Sequence, residues 1–353
     1  MGVIIGLGNA GTQIVRLAAE SRHLADEQFF SIDSVASSVT MKDVSSITSI
    51  PIISDSKSGS GRNRERGRAM FDFHCKKNEF DAMVKACKDS KEFVIAVSSS
   101  SGGTGSGAIV GLCDLLIKNG IMVIPIIICP SEDDPSAYHL NTNDLFVELG
   151  DVGIGPYCIF KNPHTSDYSN INKAVVRAIE VIRRVYYDET EGDSIDVMDL
   201  QNLFEMPGRF IAAYAEAKDV TTLKKEITRA VLSGYQPGWS TDSANEHTYM
   251  AAFSLSSVFA KSDYDDVFSE IEPRLGSQFD VFKNIAPIEG DICYASAIIT
   301  GLPTVKTKDV ADDFNLAGGI SDGMKRSKRP SFMSKKKATI VQDEDGVDSF
   351  NWS

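Results

Sequence analysis

The stretch F-V-I-A-V-S-S-S-S-G-G-T-G-S-G-A-I-V-G-L-C-D-L-L, residues 93–116, decides the fold. Phe93 to Val97 is an apolar run without polar alternation, the pattern of a strand buried on both faces, and the residues from Ala108 onward repeat as an amphipathic helix. Between them lie Ser101, Gly102, Gly103, Thr104, Gly105, Ser106 and Gly107. Glycines let a backbone come close to phosphate oxygens and turn its N–H groups toward them, while hydroxyls at Thr104 and Ser106 add donors at the positive end of the helix. The Gly-Lys-Ser/Thr of a P-loop is missing, so no lysine is supplied here to neutralise phosphate charge. A flexible Gly/Ser linker would not sit between a buried strand and an apolar helix.

A second glycine loop opens the chain. V-I-I-G-L-G-N-A-G, residues 3–11, runs from β-branched residues into Gly6, Gly8, Asn9, Ala10 and Gly11, fitting G-x-G-x-x-G, with Gln13 just beyond and a helical pattern from Thr12. Taken alone this favours a dinucleotide site, with Asp33 at the end of F-F-S-I-D placed to hold ribose hydroxyls. A dehydrogenase of that kind has no need of the second loop, and the two together point to another nucleotide.

Outward from these loops, V-I-I-G-L, F-F-S-I-D, F-V-I-A-V-S-S, I-M-V-I-P-I-I-I-C and Y-C-I-F-K alternate with helical segments. That alternation predicts an α/β fold with a Rossmann-like parallel sheet covered on both faces, over residues 1–169. The run I-N-K-A-V-V-R-A-I-E-V-I-R-R-V-Y-Y-D-E predicts a long central helix within 170–192. An acidic loop and the start of the next helix follow over 193–209, and a smaller α+β domain over 210–305. From 306 to 353 glycine, serine, lysine and proline dominate, which predicts a largely disordered tail with a short terminal motif.

The chain has 353 residues, 42% hydrophobic and 24% charged, ordinary proportions for a globular protein. A net charge of −13 argues against the folded body wrapping nucleic acid. The exception is M-K-R-S-K-R-P-S-F-M-S-K-K-K, residues 324–337, with seven basic residues and no acid, followed by the acidic Q-D-E-D-G-V-D. Neither a membrane span nor a signal peptide is visible, so a cytoplasmic location and no membrane partner are expected. Six scattered cysteines without a C-x-x-C pair read as reduced.

The loop S-S-S-S-G-G-T-G-S-G-A resembles the G-G-G-T-G-S/T-G signature of the tubulin and FtsZ superfamily of GTPases, and other segments follow that family's order. G-N-A-G-T-Q-I is similar to tubulin's first nucleotide loop. S-G-S-G-R-N-R-E-R-G-R, 58–68, falls where the family senses the γ-phosphate, with Gly61 and Asn63 matching and Arg62 closer to the plasmid and phage branch called TubZ. Arg64 and Arg66 nearby read equally as a solvated face. The resemblance implies GTP or GDP with Mg2+ as ligand, Asp134 as a ribose contact, and Asn162 with Asn170 or Asn172 as base contacts. E-T-E-G-D-S-I-D-V-M-D-L resembles the FtsZ catalytic loop, with Asp196 and Asp199 in the places of its two aspartates and Ser194 where FtsZ has Asn. Read without the resemblance, a D-x-x-D pair in such an acidic loop is a helix cap or a solvated turn.

The resemblance implies one site shared by two subunits, so that the protein partners itself in a head-to-tail filament and hydrolyses GTP there. The similarity to TubZ implies movement of plasmid or phage DNA through a DNA-binding adaptor contacted by the C-terminal tail, with little direct DNA binding. A phage spindle tubulin that positions DNA is the alternative within the superfamily, and an NAD-dependent oxidoreductase the alternative outside it.

Overall fold

The computed structural model describes residues 2–35, 46–53, 59–90, 92–165, 167–187, 195–235, 249–256, 258, 261–275, 279–286, 293–304, 339–342 and 348–351. The first half alternates as its sequence predicts: β1 (Val3–Leu7), α1 (Gly8–Ala19), β2 (Gln28–Asp33), β3 (Ile47–Pro51), α2 (Arg64–His74), α3 (Asn78–Ser90), β4 (Val94–Ser99), α4 (Thr104–Lys118), β5 (Val123–Cys129), α5 (Ser136–Val152) and β6 (Tyr157–Lys161). Helix α1 begins at Gly8, earlier than the apolar periodicity suggests, because the glycine loop itself forms its first turn. Strand β3 escaped the sequence reading; it lies at the sheet edge, contains Pro51 and is half exposed, so it carries little apolar signal.

The second half comprises α6 (Ser169–Tyr187), α7 (Val197–Glu205), β7 (Arg209–Ala217), α8 (Val220–Tyr235), β8 (Tyr249–Ser256), α9 (Lys261–Leu275), β9 (Phe279–Ala286) and β10 (Cys293–Leu302). One ten-stranded sheet runs through both halves in the order β3-β2-β1-β4-β5-β6-β7-β10-β8-β9. Strands β1 to β7 pair in parallel, and the seam between the halves is short, with Tyr157 opposite Arg209 and Cys158 opposite Phe210. Beyond it β10 runs antiparallel to both β7 and β8, the physical source of the change in sequence texture after residue 170. A two-stranded ribbon, β11 (Thr339–Gln342) with β12 (Asp348–Asn351), lies in the region read as largely disordered. The basic block 324–337 and Ser194 lie outside the described residues.

Alternation along β1 sends Val3, Ile5 and Leu7 into one core, with Phe71, Leu112 and Phe146. Ile4 enters the other core, with Ile14, Val97 and Ile179. All four β1 side chains are fully buried, each worth about 1.5–3 kcal/mol of transfer free energy. The nineteen residues of α6 span about 28 Å. Its Val175, Ile179, Ile182 and Val185 share that second core with Ala252 of β8 and Ile298 of β10, so α6 underlies both halves. A third core, including Leu223, Ile227, Phe253 and Ile299, belongs to the second half.

Arg183 of α6 fixes the lower end of the parallel sheet. Its side chain is 2% exposed and pairs with Glu27 at 3.2 Å and Glu92 at 3.5 Å. It donates to the carbonyl oxygens of Val3 (3.5 Å) and Phe93 (3.4 Å) and lies 4.4 Å from the Phe93 ring centroid. Burial pushes the Glu27 carboxyl above its ordinary range, an effect the Arg183 charge only partly offsets.

Candidate functional site

Strand order reverses direction between β1 and β4, and in open α/β sheets ligands bind in the crevice outside the carboxyl ends of the strands at that point. Three glycine-rich segments converge there. Gly8 has φ +66°, and a Cβ on it would stand 2.9 Å from the Gly105 nitrogen, so the loop after β1 touches the start of α4. A Cβ on Gly103 would come within 2.7 Å of the Asn63 nitrogen, which brings in the loop 59–63. These approaches are possible only without side chains, the physical reason for glycine at those places.

Helices α1 and α4 both begin at this crevice, and neither has a side chain capping its N-terminus. Two helix ends with uncapped first-turn N–H groups form a natural site for an anion, here supplied by backbone dipoles rather than by a lysine. Ser101, Gly102 and Ala10 are half-buried and Asn9 and Gln13 exposed; a Cβ on Gly102 would meet nothing within 4 Å, so open space faces that residue. Gly11 and Gly107 are buried and serve close packing.

The two hydroxyls have structural employment. Thr104, 7% exposed, shares a hydrogen bond with Ser34 (2.5 Å) and donates to Ser60 (2.9 Å), while Ser106 donates to the Gly102 carbonyl. Asp33 is 2% exposed and accepts the Ser34 N–H at 2.7 Å, so it caps its own strand end and does not present a carboxylate to a ribose. That removes the acid on which the dinucleotide interpretation of residues 3–11 depended.

In the loop 59–63, Gly61 and Arg62 both adopt positive φ, at 61° and 62°. Asn63 caps α2 by accepting the Arg66 N–H at 2.8 Å. Arg62 is exposed, whereas Arg64 is half-buried and paired with Glu148. Two residues that sequence reasoning missed complete this wall, both from α5: the Tyr138 ring lies 5.2 Å beneath the Arg62 guanidinium, and Asn141 bonds to loops on either side. Their signal in the sequence was slight, a polar face on a helix of otherwise weak amphipathicity.

Asp134 accepts the Ser131 N–H at 2.7 Å and so holds the turn after β5. Its neighbours reach across to the segment after β6: Glu132 pairs with Lys161 at 2.5 Å, which draws the Glu132 carboxyl below its usual range, and Asp133 pairs with His164 at 2.7 Å. Asn162, half-buried, donates its backbone N–H to the Cys129 carbonyl at 2.9 Å, placing the β6 end beside the β5 end. Asn170 is exposed in the first turn of α6, and no hydrogen bond among the described residues brings it to the glycine loops.

The aspartate pair lies elsewhere. Asp196 is exposed and is the N-cap of α7, accepting the Asp199 N–H at 2.9 Å, while Asp199, half-buried, accepts the Asp196 N–H at 3.0 Å. This is a reciprocal capping box, the first of the two structural roles, cap or solvated turn, that the D-x-x-D spacing suggests when read by itself. The next turn of α7, at Leu200 and Gln201, lines a cavity of about 290 Å³ with Phe93, Ile121 and Met122. Those three residues precede β4 and β5, so α7 sits at the N-terminal ends of the parallel strands and the glycine loops at their C-terminal ends.

The cysteines take no part. Burial pushes the thiols of Cys87, Cys113, Cys129 and Cys158 up to about 12, which keeps them protonated.

No protein-family model matches this chain, and no curated protein is similar to it in sequence. Solved structures do match. A GDP-bound monomer of CetZ1 from Haloferax volcanii superposes with a TM-score of 0.71 at 18% identity, over 89% of this chain and 100% of that one. The chain has the tubulin/FtsZ fold. An FtsZ mutant from M. jannaschii matches at 0.67 and 14% identity over 85% and 90% of the two chains. A GTPγS-form protofilament of TubZ from Bacillus thuringiensis serovar israelensis matches at 0.62 and 15% identity over 90% and 92%. The tubulin/FtsZ fold accounts for a dinucleotide-like strand order carrying a second glycine loop.

Proposed function

We propose that this chain binds guanine nucleotide in the crevice after β1 and β4, polymerises head to tail, and hydrolyses GTP to GDP and phosphate between successive subunits. The separation of the glycine loops from the aspartate pair carries this reading. The six residues of β4 extend about 20 Å between the two ends of the sheet. A carboxylate at the lower end does not reach a phosphate at the upper end of the same subunit. A second subunit stacked along the strand direction brings its Asp196 and Asp199 over the first subunit's loops, and such a heterologous contact propagates as a filament.

The uncapped starts of α1 and α4 would hold phosphate oxygens through backbone N–H groups, leaving the loop 59–63 to face the terminal phosphate. Asp196 and Asp199 would orient and polarise the attacking water. Among the described residues no group of three His, Cys, Asp or Glu could hold a metal by itself. Mg2+ would therefore be carried in on the phosphates, whose charge it would offset. The GDP-bound and GTPγS-form states of the matching structures support a guanine nucleotide.

Within this reading the filament moves plasmid or phage DNA. Support comes from the S-G-R-N-R loop and from a tail whose basic block and acidic end suit an adaptor bound to DNA. The acidic Q-D-E-D-G-V-D favours the spindle role as the second reading. Deleting 324–353 separates them: intact filaments that no longer recruit a DNA-bound adaptor support segregation, and loss of polymerisation itself supports the spindle.

Light scattering with GTP and with GDP, recorded beside phosphate release, tests the whole proposal. GTP is expected to raise scattering, and the specific hydrolysis rate to climb with protein concentration. Equal specific activity in dilute and concentrated protein would overturn the shared site.

A further inference from the structure

We propose that Asn141 is a positioning residue that locks the loop 59–63 onto the loop 101–103, and thereby sets the preference of the site for a nucleoside triphosphate over a diphosphate. The proposal rests on the nucleotide site described above. It begins from one face of α5, where Tyr138, Asn141, Thr142 and Glu148 recur at helical spacing.

Each of these four side chains holds a different part of the crevice. Tyr138 supports the Arg62 guanidinium at 5.2 Å. The Asn141 amide nitrogen donates to the Ser101 carbonyl at 2.9 Å and to the Arg62 carbonyl at 3.2 Å. Thr142 and Ser100 share a hydrogen bond of 2.8 Å between their hydroxyls, and Glu148 accepts from Arg68 at 2.5 Å and from Arg64. Of the four, Asn141 alone joins the two loops through a single group. An amide nitrogen has two hydrogens to give, and here each goes to a different loop.

The loop that Asn141 holds needs holding. Arg62 is the one non-glycine residue with positive φ among the described residues, and it follows Gly61 in the same left-handed region. A non-glycine residue persists there only where its surroundings over-determine it. Asn141 grips the Arg62 carbonyl and Tyr138 its side chain. In contrast, the loops that would take a diphosphate are built into the sheet: Gly11 packs against the Val97 carbonyl, Gly8 against Gly105, and Gly105 against Leu7. Those contacts do not involve Asn141, which meets the loop after β4 only at the Ser101 carbonyl, ahead of its first glycine. A diphosphate served by the loops 8–11 and 102–107 should therefore be nearly indifferent to Asn141, while a triphosphate long enough to touch the loop 59–63 should depend on it.

The test compares Asn141→Ala and Asn141→Asp with Thr142→Val, a control that removes the hydroxyl bonded to Ser100 and to the Tyr138 carbonyl but leaves both Asn141 hydrogen bonds in place. Binding of GDP and of a non-hydrolysable GTP analogue is measured by titration calorimetry below the concentration at which filaments form, with thermal unfolding alongside. For both Asn141 variants the affinity for the triphosphate analogue is expected to fall about tenfold and that for GDP less than about twofold. Thr142→Val is expected to leave the ratio of the two affinities unchanged. A purely structural role would weaken both nucleotides equally. Equal losses, no loss, or failure of both Asn141 variants to fold would overturn the proposal. A wild-type protein that binds neither nucleotide would instead overturn the nucleotide site on which it rests.

Discussion

The two ends of the parallel sheet solve opposite electrostatic problems. At the C-terminal ends of β1 and β4 the loops themselves are neutral, made of glycine backbones, hydroxyls and the uncapped starts of two helices, with Arg62 on the neighbouring wall. At the N-terminal ends the groups are charged: Arg183 buried between Glu27 and Glu92, and the carboxylates of Asp196 and Asp199 at the head of α7. The upper end offers fixed dipoles of the kind that lower the cost of holding an anion. The lower end neutralises its interior charges among themselves and leaves two carboxylates facing outward. Each end lacks what the other supplies, which is why the proposed reaction needs two copies of the chain.

The largest effect tests the lower end as a structural anchor. Arg183→Ala leaves Glu27 and Glu92 buried without their cation, and chemical denaturation is expected to show a loss of about 3–5 kcal/mol. A loss below about 1 kcal/mol would show that the carboxylates find other partners.

Next comes the separation of capping from chemistry at Asp196. Asparagine caps a helix about as well as aspartate, so Asp196→Asn should leave thermal stability nearly unchanged. Phosphate release is nevertheless expected to fall about 100-fold, with filaments that persist. If hydrolysis survives in Asp196→Asn and falls only in an alanine variant that melts earlier, the residue is a cap and nothing more.

At the upper end, Gly102→Ala adds a methyl group where the fold leaves open space. Stability should stay within about 0.5 kcal/mol of the parent while nucleotide affinity drops about tenfold, readable by calorimetry. Unchanged affinity would move the phosphates away from Gly102.

The smallest effect concerns His74, the buried last residue of the crevice-forming helix α2, bonded to the Ile53 carbonyl at 3.1 Å. Burial is the main cause that lowers its pKa from 6.5, with Lys77 acting in the same direction, so the folded state resists the proton that the unfolded chain accepts. Stability from this group is present above about pH 6.5 and declines as pH falls toward the lowered value. Melting temperatures at pH 7.5 and 5.5 should differ less in His74→Asn than in the parent.

Much of this was legible in the sequence because it depends on local chemistry. Uninterrupted apolar runs such as I-I-I at 126–128 mark doubly covered strands, and glycines at 8, 11, 103, 105 and 107 mark places where backbones meet. Other features were hidden because they depend on partners remote in the chain. Nothing in the sequence said that Thr104 would spend its hydroxyl on Ser34 and Ser60, or that Asp33 would be sealed behind Ser34. Tyr138 and Asn141 read as ordinary helix residues until α5 lay against a loop some eighty positions earlier.

By itself, then, the sequence determined most of the strands and which loops can approach an anion, and for the D-x-x-D pair it offered a helix cap or a solvated turn beside the catalytic reading, since period, backbone freedom and capping are properties of a few neighbouring residues. Only the tertiary structure decided that the glycine loops converge at one end of the sheet while the aspartates stand at the other. That separation follows from strand order and direction, which arise when distant segments pair and which no single stretch of the chain contains.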